Sequence, residues 1–558
     1  MTEEQRKKYK ILLVDDDKLV RFTLSAFFRQ TNYNVTALCS PQEGIELLKQ
    51  ETFDVVISDV VMEPIDGFLF RQMIREHLPD LPIIFLTSLV NGLDNALLAQ
   101  VMEDTYSYYV PKNTSKQFLL GKLDQVLQFS GAKREMKEIR LQNEENQMLA
   151  SEVQNAFLPP WTSIEEKYQI SWLYKPLGKI SGDLFEWLPV NDHSVLAVFG
   201  DVAGHGTHSA LGMMAIQAFL KQMAFYTEEK ICKPHEIAQE INDFISQYLS
   251  GRVYMCGLIL YWNLDTNVMR MHNAGFLDMT SFDIQDGKRK DLNPSHLGSL
   301  PMGMMKQTVY READTVEYIG NDNEVYIVAS DGLMDLSRTE SGEEAVDHSF
   351  FNDLLSILVK DVADEKNIIA LPYKCYESLD QFGYHYPQDD VSLIALFKPK
   401  IEDKNARIFI SRVNPNIEDV DKVSIRVADF LMGLNMPMEF STKVELLLEE
   451  HLVNIIEHGM SEYHTKNDFI MIKLDCQESG LVLTVWDRGK EWNTAMFDRS
   501  SKPDRALEFL NSQHASSGRG VLIMRKIAPK ITHERHCGMN ETAFHIPYTD
   551  GTESSDAS

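Results

Sequence analysis

The first part of the chain alternates short apolar runs with helical patterns such as that of residues 19–29. Four runs stand out: Ile11-Leu12-Leu13-Val14, Val55-Val56-Ile57, Ile83-Ile84-Phe85-Leu86 and Tyr108-Tyr109-Val110. Uninterrupted apolar runs of this length are typical of strands buried on both faces of a parallel sheet. The pattern therefore predicts a doubly wound α/β domain over residues 1–129.

Residues 130–158 are highly charged and carry only a sparse apolar stripe, formed by Ile139, Met148, Leu149 and Val153. This pattern predicts one linker helix. It should end at Pro159-Pro160, because proline lacks the backbone N–H and clashes with the preceding turn. Under four heptads are visible, so a coiled-coil seam that joins two copies of the chain stays an open alternative to a solvated helix.

Residues 159–398 are mostly strand-like, with helical patterns at 210–225 and 234–249. The clearest strands are residues 195–199, 255–260, 325–329 and 391–396. Such a pattern predicts packed sheets flanked by helices. A further α/β unit follows over 399–548, with a helix predicted from Ser441 to Glu457. The polar, acidic tail 549–558 is expected to be disordered.

Length and charge narrow the class of protein. At 558 residues the chain exceeds one hydrophobic core, so we expect three or four domains. Apolar residues make up 44% and charged residues 25%, which is ordinary for globular domains. The formal net charge of -29 would be repelled by nucleic acid and by anionic lipid. A DNA-binding regulator or a membrane-surface protein is therefore disfavoured.

The spacing of the cysteines and the lengths of the apolar runs indicate the cellular compartment of the protein. The six cysteines lie far apart and include no Cys-x-x-Cys pair, which argues against a zinc site and a disulfide framework. No apolar run approaches the ~20 residues of a membrane helix. Residues 1–8 lead directly into a strand rather than into a signal sequence. We therefore expect a cytoplasmic protein with reduced thiols.

Acidic residues follow the predicted parallel strands. Asp15 and Asp16 follow the first strand, Asp59 the third, Thr87 the fourth and Lys112 the fifth. Open α/β sheets bind ligands at these strand ends. Three carboxylates there form an oxygen site suited to Mg²⁺, with Asp59 as the nucleophile toward a phosphodonor. Thr87 can then hydrogen-bond the phosphoryl group, and Lys112 can neutralise its charge.

In order and spacing, residues 9–129 resemble the response-regulator receiver family. The resemblance implies a flavodoxin-like fold, Asp59 as phosphoacceptor, Asp15 and Asp16 as Mg²⁺ ligands with it, and Tyr109 as the switch aromatic. It also implies an upstream histidine kinase. The family usually has Lys-Pro where this chain has Lys112-Asn113, so this loop is expected to differ in shape.

The middle region contains four short motifs with aspartate, each beside a strand end or a turn. They are Ser181-Gly182-Asp183, Gly200-Asp201-Val202, Ser330-Asp331-Gly332 and Asp389-Asp390-Val391. Glycine next to a carboxylate allows tight turns and close approach. Carboxylates without cysteine favour Mg²⁺ or Mn²⁺, and two such ions can share and activate a water for attack on a phosphate ester. No nucleophilic side chain is then required.

With the segments 153–159, 273–275 and 300–303, residues 150–398 resemble the PP2C-like phosphatases of the SpoIIE/RsbU type. The resemblance implies a β-sandwich with flanking helices. It also implies a set of metal ligands: Asp183, Asp201, the Val202 carbonyl, Asp331 and Asp389. Asp390 competes with Asp389. The family's histidine after Asn-Ala-Gly is Phe276 here, and His205 is either a general acid or a loop residue.

A third constellation lies near the C-terminus. Glu450 and Asn454 are four apart, so they share one helix face. Asn454 can bind Mg²⁺ on a nucleotide, and Glu450 can polarise an attacking hydroxyl. Asp487 at a strand end can accept from an adenine amino group. Gly518-Arg519-Gly520 can cradle phosphates with backbone amides.

This ordered set resembles the histidine-kinase-like ATPase fold, an α/β sandwich, and in particular the anti-sigma serine kinases. The resemblance implies ATP binding through Asn454, Asp487, Gly489, Gly518 and Gly520, with Glu450 as the catalytic residue. The usual D-x-G-x-G is shortened to Asp487-Arg488-Gly489-Lys490-Glu491. A degenerate domain that only binds partners is therefore the alternative.

The three domains together resemble the HsbR/CrsR class of partner-switching regulators. The resemblance implies a STAS-fold anti-sigma antagonist that the middle domain dephosphorylates and the last domain rephosphorylates. In the alternative, the last domain sequesters a sigma or anti-sigma factor without catalysis, and only the phosphatase is an enzyme.

Overall fold

The computed structural model describes residues 1–87, 104–165, 167–204, 206–226, 228–249, 253–292, 299–365, 367–399, 407–460, 468–491 and 517–548. The expected acidic tail, 549–558, and His205 lie outside these residues. The chain divides into two compact units, residues 1–146 and 147–558. Within the described residues, none of the helices has the length and apolar character needed to cross a membrane.

The first unit contains a five-stranded parallel sheet in the order β2-β1-β3-β4-β5. Its strands are β1 (Lys10–Val14), β2 (Asn34–Leu38), β3 (Val55–Asp59), β4 (Ile83–Thr87) and β5 (Ser107–Pro111). Its helices are α1 (Glu3–Arg6), α2 (Lys18–Gln30), α3 (Pro41–Gln50), α4 (Gly67–His77) and the start of α5 (Lys116–Phe157). Alternate residues of β1 enter two different apolar clusters, so both sheet faces are buried. The predicted flavodoxin-like fold is confirmed.

Helix α5 begins well before the predicted linker. Its first turns bury Leu119, Leu123 and Leu127 in the core of the first unit. The later apolar stripe stays largely exposed, as at Met136, Ile139 and Leu149. The helix ends at Phe157, one residue before Pro159-Pro160, which agrees with the predicted end.

Residues 159–398 form two packed antiparallel sheets, in the orders β14-β11-β10-β9-β8 and β13-β12-β15-β16-β7-β6. The strands are β6 (Thr162–Ile164), β7 (Gln169–Lys175), β8 (Asp183–Asn191), β9 (Ser194–Val202), β10 (Met255–Asn263), β11 (Val268–Ala274), β12 (Thr280–Asp283), β13 (Arg289–Asp291), β14 (Thr315–Ile319), β15 (Glu324–Ala329) and β16 (Val391–Phe397). One apolar core joins the two sheets, which confirms the predicted β-sandwich.

Helices flank both sheets of this sandwich. The first sheet is covered by α6 (Thr207–Gln222) and α8 (Pro234–Tyr248), and the short α7 (Glu228–Ile231) packs on α8. The second is covered by α9 (Asp331–Met334), α10 (His348–Glu365) and α11 (Leu371–Gln381). The sequence patterns did not predict α10 and α11.

The last domain is an antiparallel sheet in the order β17-β18-β19-β21-β20 with helices on one face, which confirms the α/β sandwich. Its elements are β17 (Ile408–Val413), α12 (Ile417–Gly433), α13 (Met438–Asn454), β18 (Ile470–Cys476), β19 (Gly480–Asp487), α14 (Ser517–Ile527), β20 (Lys530–His536) and β21 (Met539–Pro547). Helix α13 continues as a π-helical turn, Ile455–Gly459, and thus covers the helix predicted from Ser441.

The outer face of this last sheet is buried at one end. Phe469, Met471, Trp486 and Met539 share one apolar core with residues of the sandwich. Trp161 stacks on Phe469 with ring centroids 5.2 Å apart. The sandwich and the last domain therefore share a continuous core.

Candidate active sites

The predicted receiver residues come together at the carboxyl ends of the strands. One carboxylate oxygen from each of Asp15, Asp16 and Asp59 lies within 4.8 Å of the others. Lys112 Nζ lies 2.5 Å from Asp59 Oδ2 and 3.2 Å from Asp15 Oδ2. Burial raises the pKa of Asp15. Asp15 and Asp59 are buried and Asp16 is exposed, so the cluster is open to solvent on one side and the residues present fit Mg²⁺.

Thr87 ends β4 next to this cluster, and Tyr109 lies on the neighbouring strand β5. The Thr87 carbonyl accepts a hydrogen bond from the Lys112 backbone N–H at 2.7 Å. Tyr109 stacks on Phe85 with centroids 5.2 Å apart, and burial raises its pKa to about 12. Its hydroxyl has no hydrogen-bond partner within the described residues. The Lys112–Asn113 peptide is trans, unlike Glu63–Pro64.

Strand pairing brings the four aspartates of the sandwich to one end. The β8–β9 hairpin places Asp183 opposite Asp201. Asp331 begins α9 directly after β15, and Asp389 precedes β16, which pairs with β15. Asp183 is fully buried and accepts from Ser392 Oγ at 2.6 Å, whereas Asp331 is exposed. The cluster therefore runs from the core to the surface.

The carboxylates of this cluster destabilise one another's charged forms. Burial, and then the charges of Asp331 and Asp389, raises the pKa of Asp201 to about 7. Burial also raises the pKa of Asp183 well above its usual range. A bound divalent cation would relieve both effects. The Val202 carbonyl oxygen lies beside Gly182 in the same place, so this donor set fits the predicted cations.

The structure separates the roles of the two neighbouring aspartates. Asp390 Oδ1 accepts from the Leu177 backbone N–H at 2.7 Å, and Oδ2 accepts from the Gly182 N–H at 2.9 Å. Both oxygens therefore hold the loop that carries Asp183. This leaves Asp389 as the better candidate ligand. Gly332 packs on the Asp389-Asp390 segment so closely that an added Cβ would lie 2.0 Å from the Asp390 carbonyl oxygen.

Gln154 lies in the segment 153–159, and its sequence context predicts no role for it. This buried α5 residue donates from Nε2 to the Ser181 carbonyl at 2.8 Å. Its Oε1 accepts from the Ser181 N–H at 3.1 Å and from Tyr174 OH at 3.2 Å. The only signal in the sequence is a polar residue next to an apolar helix stripe. Phe276 completes a turn by exchanging hydrogen bonds with the Asn273 side chain.

The candidate adenine site lies at the end of β19. Asp487 Oδ1 accepts from the Gly489 N–H at 2.7 Å and from Asn540 Nδ2 at 2.9 Å. Its Oδ2 is buried and has no hydrogen-bond partner in the described part of the chain. Burial raises the pKa of Asp487. An adenine amino group would satisfy this orphaned acceptor, so the residue fits ATP. The adjoining cavity, of about 300 Å³, is lined by Gly459, Met460, Asp468, Arg488, Gly489, Lys490 and Arg535.

The remaining candidate ATP residues meet where α13 packs against α14. An added Cβ at Gly520 would lie 2.6 Å from Glu450 Oε2 and 3.3 Å from Asn454 Nδ2. Gly518 lies in the first turn of the same helix. Glycine at 520 therefore keeps space beside the two polar side chains of α13.

Comparison with known proteins identifies a domain family for each of the three regions that carry these sites. Residues 11–124 match the response regulator receiver domain, residues 191–398 match stage II sporulation protein E (SpoIIE), and residues 413–544 match the histidine kinase-like ATPase domain. The chain thus contains a receiver, a SpoIIE-type PP2C-like domain and a kinase-like ATPase domain. The first two imply use of a divalent cation, Mg²⁺ or Mn²⁺.

Individual relatives match parts of the chain. The probable transcriptional regulator ycf27 of Cyanidium caldarium is 30% identical over 104 residues, covering 19% of this chain and 41% of its own. The chain thus spans about two fifths of the length of the two ycf27 relatives, and less of the response regulator FleR and of ARR12. The RsbU and RsbW domains of Rv1364c from Mycobacterium tuberculosis are 15% identical, with TM-score 0.36, covering 70% of this chain and 94% of that one. The SiaA-PP2C domain of Pseudomonas aeruginosa is 19% identical, with TM-score 0.38, covering 47% and 99%.

Proposed function

We propose that the chain is a phosphorylation-controlled serine/threonine phosphatase that acts on a STAS-type anti-sigma antagonist, and that its last domain rephosphorylates the same protein. The observation that carries the proposal is the convergence of Asp183, Asp201, Asp331 and Asp389 at one end of the sandwich. Sigma-dependent transcription would then be set by the balance of the two activities.

The aspartates supply the chemistry of phosphate removal. Two Mn²⁺ or Mg²⁺ ions held by them would supply an activated water and neutralise the phosphate charge. Asp183 is fixed by Ser392, and Asp390 fixes the loop around it. The exposed side of Asp331 leaves room for a phosphorylated side chain of a protein substrate.

The last domain is proposed to transfer phosphate from Mg-ATP. Asn454 would hold Mg²⁺, Asp487 the adenine, and Glu450 would act as general base toward a serine hydroxyl. The alternative is a non-catalytic domain that binds a sigma or anti-sigma factor. ATP-dependent labelling of the antagonist by the purified chain separates these two.

The receiver is proposed to control the phosphatase through α5. The helix buries Leu123 and Leu127 in the receiver core, and Gln154 further along it holds the loop before Asp183. Phosphorylation of Asp59 by an upstream histidine kinase would bias the packing of this helix. Its exposed stripe would also allow a homodimer. The charge of -29 is consistent with a cytoplasmic protein that has neither nucleic-acid nor membrane partners.

Two variants test the phosphatase assignment. Asp201→Asn and Asp331→Asn should each lose Mn²⁺-dependent hydrolysis of a phosphoserine antagonist, and calorimetry should show weaker Mn²⁺ binding. Asp192→Asn, in the exposed turn of the hairpin that carries Asp183 and Asp201, is the matched control. Wild-type turnover in both variants would refute the two-cation site.

A further inference from the structure

We propose that an adenine nucleotide bound at Asp487 regulates the phosphatase of the same chain by changing the cation affinity of its aspartate site. The proposal rests on both halves of the proposed function, the nucleotide site and the cation site. It adds a physical connection between them through the turn that joins β20 to β21.

The first support is the shared core of the two domains. Trp161 stacks on Phe469, and Trp486 and Met539 lie in the same cluster as Leu173 and Tyr373 of the sandwich. Packed cores are bistable rather than continuously deformable. A rearrangement of the last domain near Asp487 would therefore change the packing of the shared core, and with it the sandwich.

The second support is how the nucleotide site is held. Asn540 donates to Asp487 Oδ1 at 2.9 Å, and its own Oδ1 accepts from Arg535 Nη1. Arg535 and Asn540 are cross-strand partners in the β20–β21 hairpin, and Arg535 lines the nucleotide cavity. A nucleotide that contacts Asp487 or fills this cavity therefore acts on the hairpin.

The third support is the tip of this hairpin. Lys175 Nζ of β7 lies 3.3 Å from Cys537 Sγ and 4.2 Å from the Tyr376 ring centroid. His536 contacts Glu377 of α11. Cys537 has a φ of 50°, a left-handed conformation that favours Asn or Gly in such turns. The tip is thus fixed by contacts with the sandwich.

The last step leads from Lys175 to the aspartates. Lys175 pairs with Val391, which directly follows Asp390. Just beyond β7, the Leu177 N–H donates to Asp390, whose other oxygen holds Gly182 beside Asp183. Movement of Lys175 would therefore be passed to both sides of the cation site. By linkage, nucleotide and cation must then change each other's affinity by the same factor.

The test uses the full chain at buffered free Mn²⁺, with and without saturating Mg-ADP. The midpoint of Mn²⁺-activated p-nitrophenyl phosphate hydrolysis should shift about fivefold or more on adding nucleotide. Hydrogen exchange at the Leu177 and Gly182 amides should change with it. Lys175→Met should lose both responses, whereas Lys288→Met, an exposed lysine of the same domain, should keep them. Free nucleotide also binds Mn²⁺. Because all proteins are measured in identical solutions, this binding does not contribute to the differences between them.

Each alternative result has a distinct meaning. Calorimetric nucleotide binding without any shift in the wild type would overturn the inference and leave the proposed function intact. Absence of nucleotide binding would overturn both the inference and the proposed kinase. A full shift in Lys175→Met, and in Cys537→Asn, which suits the turn but lacks the thiol, would refute the route through this contact.

Discussion

Gln154 holds the backbone of Ser181 by two hydrogen bonds, one from its Nε2 and one to its Oε1. Both residues are buried, so Gln154→Ala would leave backbone groups unsatisfied at roughly 1–3 kcal/mol each. We expect weaker Mn²⁺ binding and lower phosphatase turnover, measured by calorimetry and by hydrolysis of the phosphorylated antagonist. The exposed Glu152→Ala on the same helix is the control. A wild-type Mn²⁺ titration in Gln154→Ala would contradict this role.

Gly332 is expected to be sensitive to the smallest substitution. In Gly332→Ala, the new Cβ would meet the Asp390 carbonyl oxygen at 2.0 Å, so the segments that carry Asp331 and Asp389 must separate. We expect destabilisation of about 1–3 kcal/mol from this overpacking, with loss of phosphatase activity. Gly433→Ala, where an added Cβ meets no atom within 4 Å, should leave both unchanged.

Receiver control can be tested with acetyl phosphate. Phosphatase turnover should change on its addition. The change is limited by the free-energy difference between two proposed packings of α5, one against the receiver and one as a seam between two copies of the chain. Asp59→Ala should lose the response and keep the basal activity. Two residues inserted near Asn143 change the helical phase by about 200° and should uncouple the domains. Equal responses in all three proteins would exclude control through this helix.

Substitutions of Glu450 and of Asn454 should have different effects on phosphate transfer and on ATP binding. Glu450→Ala should abolish phosphate transfer to the antagonist with little loss of ATP binding, because it removes only the general base. Asn454→Ala should weaken Mg-ATP binding itself, since it removes the proposed Mg²⁺ ligand. Calorimetry and labelled-phosphate transfer measure the two effects. If the wild type binds no ATP, the sequestration alternative holds.

A buried histidine should make the last domain less stable in acid. Burial, and then His533, lowers the pKa of His451 to about 3. Below its unfolded pKa, about 6.5, the unfolded chain binds a proton that the folded chain does not, so stability falls as pH falls. The loss is about 2 kcal/mol by about pH 5.

The variant His451→Phe removes this proton and can pack against Phe544, whose ring centroid lies 4.7 Å from that of His451. Between about pH 7.5 and about pH 5, its free energy of unfolding should gain about 2 kcal/mol relative to wild type. Native-state hydrogen exchange of the β18 amides measures this difference. A constant difference across this range would show that the pKa of His451 is the same in the folded domain as in the unfolded chain.

The fold could be predicted well where burial produces a simple pattern. The runs at Ile11, Val55 and Ile83 are buried strands, and each was predicted from its uninterrupted apolar character. Helix α11 was missed although Pro372, Cys375, Tyr376 and Leu379 are buried at helical spacing. Its polar residues Lys374, Glu377 and Ser378 are only partly buried and share one face, so the period of 3.6 residues was present in the sequence and was overlooked.

The site could be predicted only in part. Asp183, Asp201 and Asp331 each stand in a short motif with glycine, so a local pattern identifies them. The contacts of Gln154 and Asp390 join segments that are far apart in the chain, so no local sequence pattern predicts them. Sequence therefore identified candidate ligands but not the residues that hold them in place.

The β18 region carries apolar residues on both faces at its start. Ile470 and Ile472 enter the inner core, whereas Phe469 and Met471 enter the core shared with the sandwich. Strands of antiparallel sheets more commonly alternate apolar with polar residues. The unbroken apolar run Phe469-Ile470-Met471-Ile472 thus indicates, from the sequence alone, that this domain packs against its neighbour. In related chains with polar residues at the positions of Phe469 and Met471, the ATPase domain should not pack on the sandwich and should be joined to it only by the linker.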